Sequence, residues 1–117
     1  MQDGMEATRP PGRQSRIIDG REVAFDEEGF FDDFEQWSMK CCEILARESG
    51  ILHLEEQHRR VIHFLRRFYE YNARAPLNKE LRQGTGLSLL EMERLFPQGI
   101  KNGARRLAGL PNPKTCN

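Results

Sequence analysis

The sequence predicts a mainly α-helical domain: a small helical bundle with an N-terminal β-hairpin and a flexible C-terminal arm. Three observations predict this fold class: apolar residues at helical spacing from about residue 33 onward, one Asp-Gly turn signal before them, and two prolines close to the C-terminus. The 117 residues are enough for one domain with a modest core. We expect a disordered leader at 1–15, the helical domain at 16–109 and the arm at 110–117.

The hairpin is predicted from Asp19-Gly20, which lies between the β-prone runs Ile17-Ile18 and Arg21-Glu22-Val23. An Asp-Gly pair in this setting favours a type I′ turn. Because a two-stranded ribbon is only marginally stable alone, we expect it to pack against the helices. The preceding segment 1–15 has no apolar periodicity and contains Pro10-Pro11-Gly12, which indicates disorder.

Five helices are predicted from apolar spacing and from end signals. The first places Phe34, Trp37, Cys41, Ile44 and Leu45 on one face. Ser88 is the expected N-cap of the fourth helix, and Gly109 is the expected C-cap of the fifth. The predicted ranges are about 33–48, 55–73, 76–83, 88–96 and 100–108.

Charge is balanced overall but unevenly distributed along the chain. Residues 1–50 hold 12 acidic and 6 basic residues, whereas residues 51–117 hold 6 acidic and 12 basic residues. No stretch approaches the roughly 20 apolar residues of a membrane span, and the N-terminus does not resemble a signal peptide. The three cysteines are an odd number and do not form a disulfide framework. These features favour a cytoplasmic protein in a reducing compartment, with no membrane partner.

The adjacent cysteines Cys41 and Cys42 and the three histidines are interpreted as structural residues. Cys41 falls on the apolar face of the first helix, where cysteine behaves as a small hydrophobe. His53, His58 and His63 recur every five residues, which does not place them on one helix face as a zinc motif requires. We therefore expect no metal and no cofactor, and we expect His58 or His63 to cap a helix or hydrogen-bond within the bundle.

Basic residues of the second predicted helix leave two interpretations open. A charged face usually keeps a helix soluble, but it can also bind an acidic protein or a phosphate backbone. The third and fourth helices resemble a helix-turn-helix, but the second of them offers Glu91, Glu93 and only Arg94, a poor set for reading bases. Specific DNA binding is therefore discounted. The basic face consists of Arg59, Arg60, Arg66, Arg67 and Arg74.

Cys116 differs from the other cysteines because it lies one residue from the C-terminus. No helical or strand pattern follows Gly109, and the prolines at 111 and 113 stiffen the chain. A thiol on such an arm suits group transfer between proteins, because the sulfur must enter one active site and then another. Lys114, Arg105 and Arg106 favour the reactive thiolate, while the terminal carboxylate opposes it.

Beyond these patterns, the sequence resembles the DsrC/TusE family from about Ile17 to Asn117. The combination of Leu95-Phe-Pro97, Ala108-Gly-Leu-Pro111 and a penultimate cysteine is highly specific. Other matching segments are Asp19-Gly-Arg-Glu22, Asp26-Glu-Glu-Gly-Phe-Phe31, Trp37, Gly50-Ile51, Glu55-Glu-Gln-His58, Val61-Ile-His-Phe-Leu-Arg-Arg-Phe-Tyr69 and Gly99.

The resemblance implies a sulfurtransferase-type carrier that holds persulfide sulfur on Cys116. In the TusE branch, sulfur comes from a TusBCD-type complex and passes to a tRNA 2-thiouridylase for wobble-uridine thiolation. In the DsrC branch of dissimilatory sulfur metabolism, donors are of the DsrEFH type and acceptors of the sulfite reductase type, and a second cysteine stands where this chain has Arg105. A non-catalytic regulatory or DNA-binding paralogue is a further alternative.

Partner contacts are expected from basic residues near the arm and on the second helix. A guanidinium on the helix before the arm could attract an anionic persulfide or an acidic partner by a modest, salt-sensitive effect. The expected partner-binding residues are Lys101, Arg105, Arg106, Lys114, Arg59 and Arg66.

Overall fold

The structure, a computed structural model, describes residues 13–112. Residues 1–12 of the leader expected at 1–15 and the end of the arm, including Lys114 and Cys116, lie outside the described residues. A 3₁₀ turn at Phe34–Gln36 precedes four α-helices, and a π-helical segment at Ile100–Arg105, called the terminal helix below, follows them. The other elements are β1 (Gln14–Ile18), β2 (Arg21–Phe25), α1 (Met39–Glu48), α2 (Glu56–Asn72), α3 (Asn78–Thr85) and α4 (Leu89–Leu95).

The predicted hairpin is confirmed. Strands β1 and β2 pair antiparallel with Ile18 opposite Arg21, which leaves Asp19 and Gly20 as the two turn residues. Both have positive φ, 54° and 80°, as a type I′ turn requires. β1 begins at Gln14, inside the segment expected to be leader. Val23 and the end of β2 are buried against the helices, which supplies the packing that an isolated ribbon lacks.

The first helix begins later than predicted, at Met39 rather than near residue 33. Asp33 caps only the 3₁₀ turn, by accepting a hydrogen bond from the Glu35 amide at 2.9 Å. Trp37 then takes an extended conformation, and the Ser38 hydroxyl accepts from the Cys41 amide at 3.1 Å as the N-cap of α1. Asp33 and Ser38 therefore cap two separate elements, and only Ser38 starts the α-helix.

Helix α2 matches its predicted range, and His58 hydrogen-bonds within the bundle as expected. The Glu55 backbone amide donates to His58 Nδ1 at 3.0 Å, so the imidazole caps the first turn. His58 Nε2 lies 2.9 Å from the Leu95 carbonyl oxygen, which ties α2 to α4. The ring is almost fully buried, and Val61, Ile62 and Leu65 continue the apolar face toward the core.

Helix α3 begins two residues after Pro76 and extends past Gly84, where the prediction had ended it. A Cβ at Gly84 would lie 2.1 Å from the Phe64 ring, so glycine here permits the close approach of α2 and α3. The helix ends instead at Gly86, whose φ is +76°. A glycine that allows close packing was thus mistaken for one that ends a helix.

Ser88 caps α4 as predicted, by accepting from the Glu91 amide at 3.0 Å. Helical backbone then covers residues 99–107, and Gly109 ends this last helix with a φ of +82°. Gly109 N donates to the Arg106 carbonyl and Leu110 N donates to the Arg105 carbonyl, both at 3.1 Å. These two bonds form a Schellman motif.

The core lies between the hairpin, the helices and the start of the arm. Its largest fully buried side chains come from almost every element, so the hairpin and the helices share one hydrophobic core. Within the described residues, no helix is long and apolar enough to span a membrane. The core includes Ile18, Val23, Phe30, Phe31, Leu45, Ile62, Leu65, Leu81, Met92, Phe96, Leu107 and Leu110.

Candidate functional site

The candidate site is the start of the C-terminal arm, residues 107–112, which we call the arm root. Cys116, the predicted nucleophile, follows four residues after Asn112 and lies outside the described residues. The arm root sets the position of the chain four residues before Cys116. Its geometry is therefore the part of the site that the structure shows.

Two side chains from other elements hold the carbonyl groups of the arm root. Trp37 Nε1 donates to the Leu107 carbonyl oxygen at 2.7 Å. Arg66 Nη1 donates to the Ala108 carbonyl oxygen at 2.9 Å. Helix C-termini leave carbonyl groups without intrahelical partners, and these two donors satisfy such groups.

Arg66 lies between two aromatic rings rather than on a solvated helix face. Its guanidinium carbon is 3.8 Å from the centroid of the Phe34 ring and 4.2 Å from that of the Trp37 ring. A partly desolvated cation on an aromatic face is worth about 0.5–2 kcal/mol. Burial lowers the pKa of Arg66, but a guanidinium remains charged at neutral pH. The sequence had assigned Arg66 to the outer basic face; the structure places it under the arm root.

Gly109 fits beneath these two side chains because it has no Cβ. A Cβ at this position would lie 2.8 Å from Trp37 Cδ1 and 2.9 Å from Arg66 Nη1. The positive φ of Gly109 also disfavours other residues. Trp37, Arg66 and Gly109 together form a clamp that fixes the end of the terminal helix; we call it the arm clamp.

The first residues of the predicted arm also contact the body. Leu110 is 1 % exposed and packs in the core, while Pro111 is exposed. Asn112 Nδ2 donates to Asp26 Oδ2 at 3.1 Å. The sequence pattern gave no reason to expect burial after Gly109, so these contacts were missed.

The two arginines before the arm root are half-buried, and burial lowers the pKa of both. Arg106 donates to Ser49 Oγ at 2.9 Å and to the Asn102 carbonyl oxygen at 2.9 Å. Arg105 Nη2 donates to the Pro76 carbonyl oxygen at 3.0 Å, while its Nε is buried without a hydrogen-bond partner among the described residues. Both side chains thus hold neighbouring elements to the terminal helix.

Other basic residues singled out from the sequence are either ion-paired or exposed. Arg60 and Arg74 form ion pairs with Glu56 and Glu80, at 2.9 and 3.0 Å. Arg59 and Lys101, which we expected to bind partners, are exposed on α2 and the terminal helix. The structure does not bring them together with the arm clamp, so partner binding by these residues stays a prediction.

Cys41 and Cys42 are core residues, as predicted. Both are fully buried free thiols. Burial, helped by the nearby Glu43 carboxylate, raises the pKa of Cys42 to about 12. Its thiol is therefore protonated and unreactive at neutral pH. Within residues 13–112, no three His, Cys, Asp or Glu side chains are grouped so that they could hold a metal ion.

Sequence reasoning missed Trp37 as a hydrogen-bond donor and missed Asp26 and Asn112 altogether. Trp37 was placed on the apolar face of the first helix, although a buried indole N–H needs an acceptor. Asp26 was noted only within a segment that resembles the family. Asn112 directly follows the Ala108-Gly-Leu-Pro111 segment, and no pattern in the sequence signals its contact with a residue 86 positions away.

Comparisons with known proteins agree on one family. The family described as "DsrC like protein" matches residues 17–117. The dissimilatory-type sulfite reductase gamma subunit of Nitratidesulfovibrio vulgaris is 36% identical over 97 residues, covering 83% of this chain and 92% of that protein. The sulfurtransferase TusE of Sodalis glossinidius is 37% identical over 106 residues, covering 85% and 97%.

A solved structure shows the same fold. The oxidised gamma subunit of the dissimilatory sulfite reductase (DsrC) from Archaeoglobus fulgidus superimposes with a TM-score of 0.79 at 30% identity. The match covers 89% of this chain and 100% of the other. The mainly helical fold with an N-terminal hairpin is thereby confirmed. The family match over residues 17–117, the relatives that cover most of the chain and the shared fold show that the chain belongs to the DsrC-like family.

Proposed function

We propose that this protein is a sulfur carrier that holds persulfide sulfur on Cys116. The observation that carries the proposal is the contrast among its three cysteines. Cys41 and Cys42 are fully buried, whereas Cys116 comes four residues after Asn112, where the described part of the chain ends. Similarity to a TusE sulfurtransferase supports the same chemistry.

The transfer is an exchange between thiols and persulfides with no net oxidation. The Cys116 thiolate attacks the outer sulfur of a donor persulfide, the donor S–S bond breaks, and the donor thiolate leaves with that electron pair. A new S–S bond then joins Cys116 to the transferred sulfur. An acceptor thiolate attacks that sulfur in turn and releases the Cys116 thiolate.

The pathway that fits best is tRNA wobble-uridine 2-thiolation in the cytoplasm. The donor would be a complex of the TusBCD or DsrEFH type, and the acceptor a tRNA 2-thiouridylase. Arg105 supports this branch because a two-cysteine mechanism needs a second thiol at that position. The half-buried Arg105 guanidinium cannot replace a thiol in disulfide chemistry.

The second candidate is a role with a sulfite reductase in dissimilatory sulfur metabolism. Similarity to a dissimilatory-type sulfite reductase gamma subunit, at 36% identity, favours it. DNA binding by the basic face is less well supported, because Arg66 lies in the arm clamp and Arg60 and Arg74 are paired with acids. Specific DNA binding would need these side chains free.

The experiment is to supply a persulfide donor and map the added sulfur by mass spectrometry. We expect about 32 Da, one sulfur atom, on the peptide containing Cys116. The Cys116→Ser variant should gain nothing, while a Cys41→Ser/Cys42→Ser variant should load normally if it folds. Sulfur on Cys41 or Cys42 in the parent protein would contradict the proposal.

The pathway is tested separately in a bacterium that lacks its own TusE. Expression of this protein should restore 2-thiouridine in tRNA, measured by nucleoside mass spectrometry, and Cys116→Ser should not. Sulfur loading of Cys116 without restored 2-thiouridine would move the assignment toward the dissimilatory pathway.

A further inference from the structure

A small pocket lies between the second half of α1, the loop that follows it and the first turn of α2. Arg47 from α1, His53 from the loop and Arg59 from α2 line it, and we call it the basic pocket. Its cavity volume is about 210 Å³. Sites for small molecules usually measure about 300–1,000 Å³, so the basic pocket suits one side chain better than a cofactor.

The two arginines of the basic pocket are not used by the fold. Both side chains are exposed, and neither donates a hydrogen bond or forms an ion pair within residues 13–112. Two neighbouring carboxylates are paired with other arginines: Glu48 lies 2.7 Å from Arg16, and Glu56 lies 2.9 Å from Arg60. The guanidinium groups in the pocket therefore keep their hydrogen-bond donors for a ligand.

One carboxylate and apolar surface complete the basic pocket. Among the described residues that line it, Glu43 is the only acidic one, and it lies one turn before Arg47 on α1. Two arginines against one glutamate leave the pocket with a net positive charge. Ile51 and Leu52 also line it, and Leu52 is 68% exposed. Arginine is enriched at protein interfaces, and apolar surface beside it is removed from water on binding.

The basic pocket lies on the same face of α2 as the arm clamp. Arg59 precedes Arg66 by seven residues, which is two helical turns with an offset of about 20°. The two positions are separated by about 10 Å along the helix axis. Ser49, two residues after Arg47, accepts from Arg106 at 2.9 Å, so the end of α1 also contacts the terminal helix. A protein bound at the pocket would therefore cover surface beside the arm root.

We propose that the basic pocket binds an acidic side chain of the protein that exchanges sulfur with this chain. The inference rests on the proposed carrier function, since a carrier must dock on its donor and its acceptor. A glutamate or aspartate with an apolar neighbour fits, because its carboxylate complements the two guanidinium groups while the neighbour packs on Leu52. Charge-assisted hydrogen bonds of this kind are about twice as strong as neutral ones. A nucleic acid fits less well, because its phosphates need a row of cations, whereas these share one cavity with Glu43.

A titration of the ¹⁵N-labelled full chain with an acidic peptide tests the proposal by NMR. The probe is acetyl-Gly-Leu-Glu-Leu-Gly-amide, and the control peptide carries Gln in place of Glu. We expect the amide signals of Arg47, Leu52 and Arg59 to move as the acidic peptide binds. The control peptide should bind about tenfold more weakly, because it lacks the charge that strengthens the hydrogen bonds.

Matched variants separate the basic pocket from general charge. Arg47→Gln/Arg59→Gln removes both pocket arginines and should weaken binding of the acidic peptide about tenfold or more. Arg67→Gln/Arg82→Gln lowers the net charge equally, at exposed positions outside the pocket, and should bind like the parent. Glu43→Gln removes the competing carboxylate and should strengthen binding about two- to fivefold, a gain that damage to the fold would not produce.

Three results of the titration would overturn the proposal. The first is a control peptide that binds as tightly as the acidic one, or no movement of the pocket signals with either. The second is inorganic phosphate that moves the same signals with equal affinity, which would indicate a general anion site. The third is a short RNA that moves them when the acidic peptide does not, which would indicate a nucleic-acid site.

Sulfur transfer tests whether the basic pocket serves the carrier. In transfer from a persulfide donor protein and to an acceptor protein, Arg47→Gln/Arg59→Gln should raise KM about tenfold in at least one direction and leave kcat unchanged. A KM unchanged in both directions would overturn a role in docking. The peptide titrations do not involve Cys116, so they decide the pocket even if the parent protein takes up no sulfur and the proposed function fails.

Discussion

Gly109 meets two requirements at the residue scale that other residues meet only at an energetic cost. Its φ is +82°, in the left-handed region that closes the Schellman motif. Its Cα also faces the indole of Trp37 and the guanidinium of Arg66, with no room for a Cβ between them. Gly86 shares the first requirement, with φ +76° and ψ 11°, but has open space around it. A comparison of the two glycines therefore separates the cost of the left-handed backbone from the cost of steric overlap.

We predict that Gly109→Ala destabilises the fold more than Gly86→Ala does. The left-handed backbone should cost each variant about 1–2 kcal/mol. Overlap with Trp37 and Arg66 should cost Gly109→Ala about 1–3 kcal/mol more. Urea unfolding midpoints measure the difference, and equal losses in the two variants would show that the arm clamp is looser than described.

We predict that burial of the Cys42 thiol makes the folded protein less stable in alkaline solution. Its pKa rises from 9.0 in the unfolded chain to about 12 in the folded protein, mainly because burial disfavours the thiolate. The folded state therefore binds the proton more tightly. The resulting stability is fully present below about pH 9 and is lost as the pH rises toward about 12, by up to about 1.4 kcal/mol per pH unit.

The measurement compares the free energy of unfolding of the parent protein and Cys42→Ala between pH 8 and about pH 11. The two proteins differ only at residue 42, so the contributions of all other groups cancel in the difference. We expect the parent to lose its advantage over Cys42→Ala as the pH rises. Parallel pH profiles would mean that the Cys42 thiol ionises normally.

At the scale of elements, α2 stabilises the arm root through one residue of its outer face. Arg66 contacts the Phe34 and Trp37 rings and donates to the Ala108 carbonyl, whereas its neighbour Arg67 is exposed. We predict that Arg66→Ala lowers the free energy of unfolding by about 2–3 kcal/mol, through lost packing and an unsatisfied carbonyl.

The matched variant Arg67→Ala should change stability by no more than about 0.5 kcal/mol, as is usual for surface substitutions. Thermal unfolding of the two variants at equal protein concentration makes the comparison. A loss in Arg67→Ala as large as that in Arg66→Ala would show that helix propensity or general charge, not the arm clamp, explains the effect.

Elements defined by neighbouring residues could be predicted, and those defined by distant contacts could not. The Asp19-Gly20 turn and the Ser88 cap depend on groups a few residues apart. The 3₁₀ turn before α1 depends instead on Trp37 reaching the Leu107 carbonyl, 70 residues away. The helical spacing of apolar residues included Trp37 in the first predicted helix, because such a pattern shows only that a side chain faces inward.

The same distinction between local features and long-range contacts holds for the candidate site. Cys116 could be identified from its position in the sequence alone, because no helical or strand pattern around it predicts burial. The contacts of Arg66 with Ala108 and of Asn112 with Asp26 join residues 42 and 86 positions apart. Charge patterning placed Arg66 on a solvated face, since the aromatic rings that cover it come from a segment outside α2.

For the whole molecule, the distribution of thiols determines the products of oxidation. Cys41 and Cys42 are fully buried on α1 within the core, so neither can reach Cys116 without unfolding. We predict that mild oxidation gives a Cys116–Cys116 dimer or a glutathione adduct instead of an internally bridged monomer. Non-reducing electrophoresis with peptide mapping identifies the product, and a Cys116 bridge to Cys41 or Cys42 would contradict this assignment.

A carrier must release its sulfur as well as accept it, so the most direct test follows one sulfur atom through both steps. The protein is loaded with ³⁴S from a labelled persulfide donor, freed of donor, and mixed with a tRNA 2-thiouridylase, tRNA and ATP. We expect label to leave the Cys116 peptide as it enters 2-thiouridine, and we expect Cys116→Ser to carry none. Label that remains on Cys116, or that reaches tRNA equally well in Cys116→Ser, would contradict the proposed function.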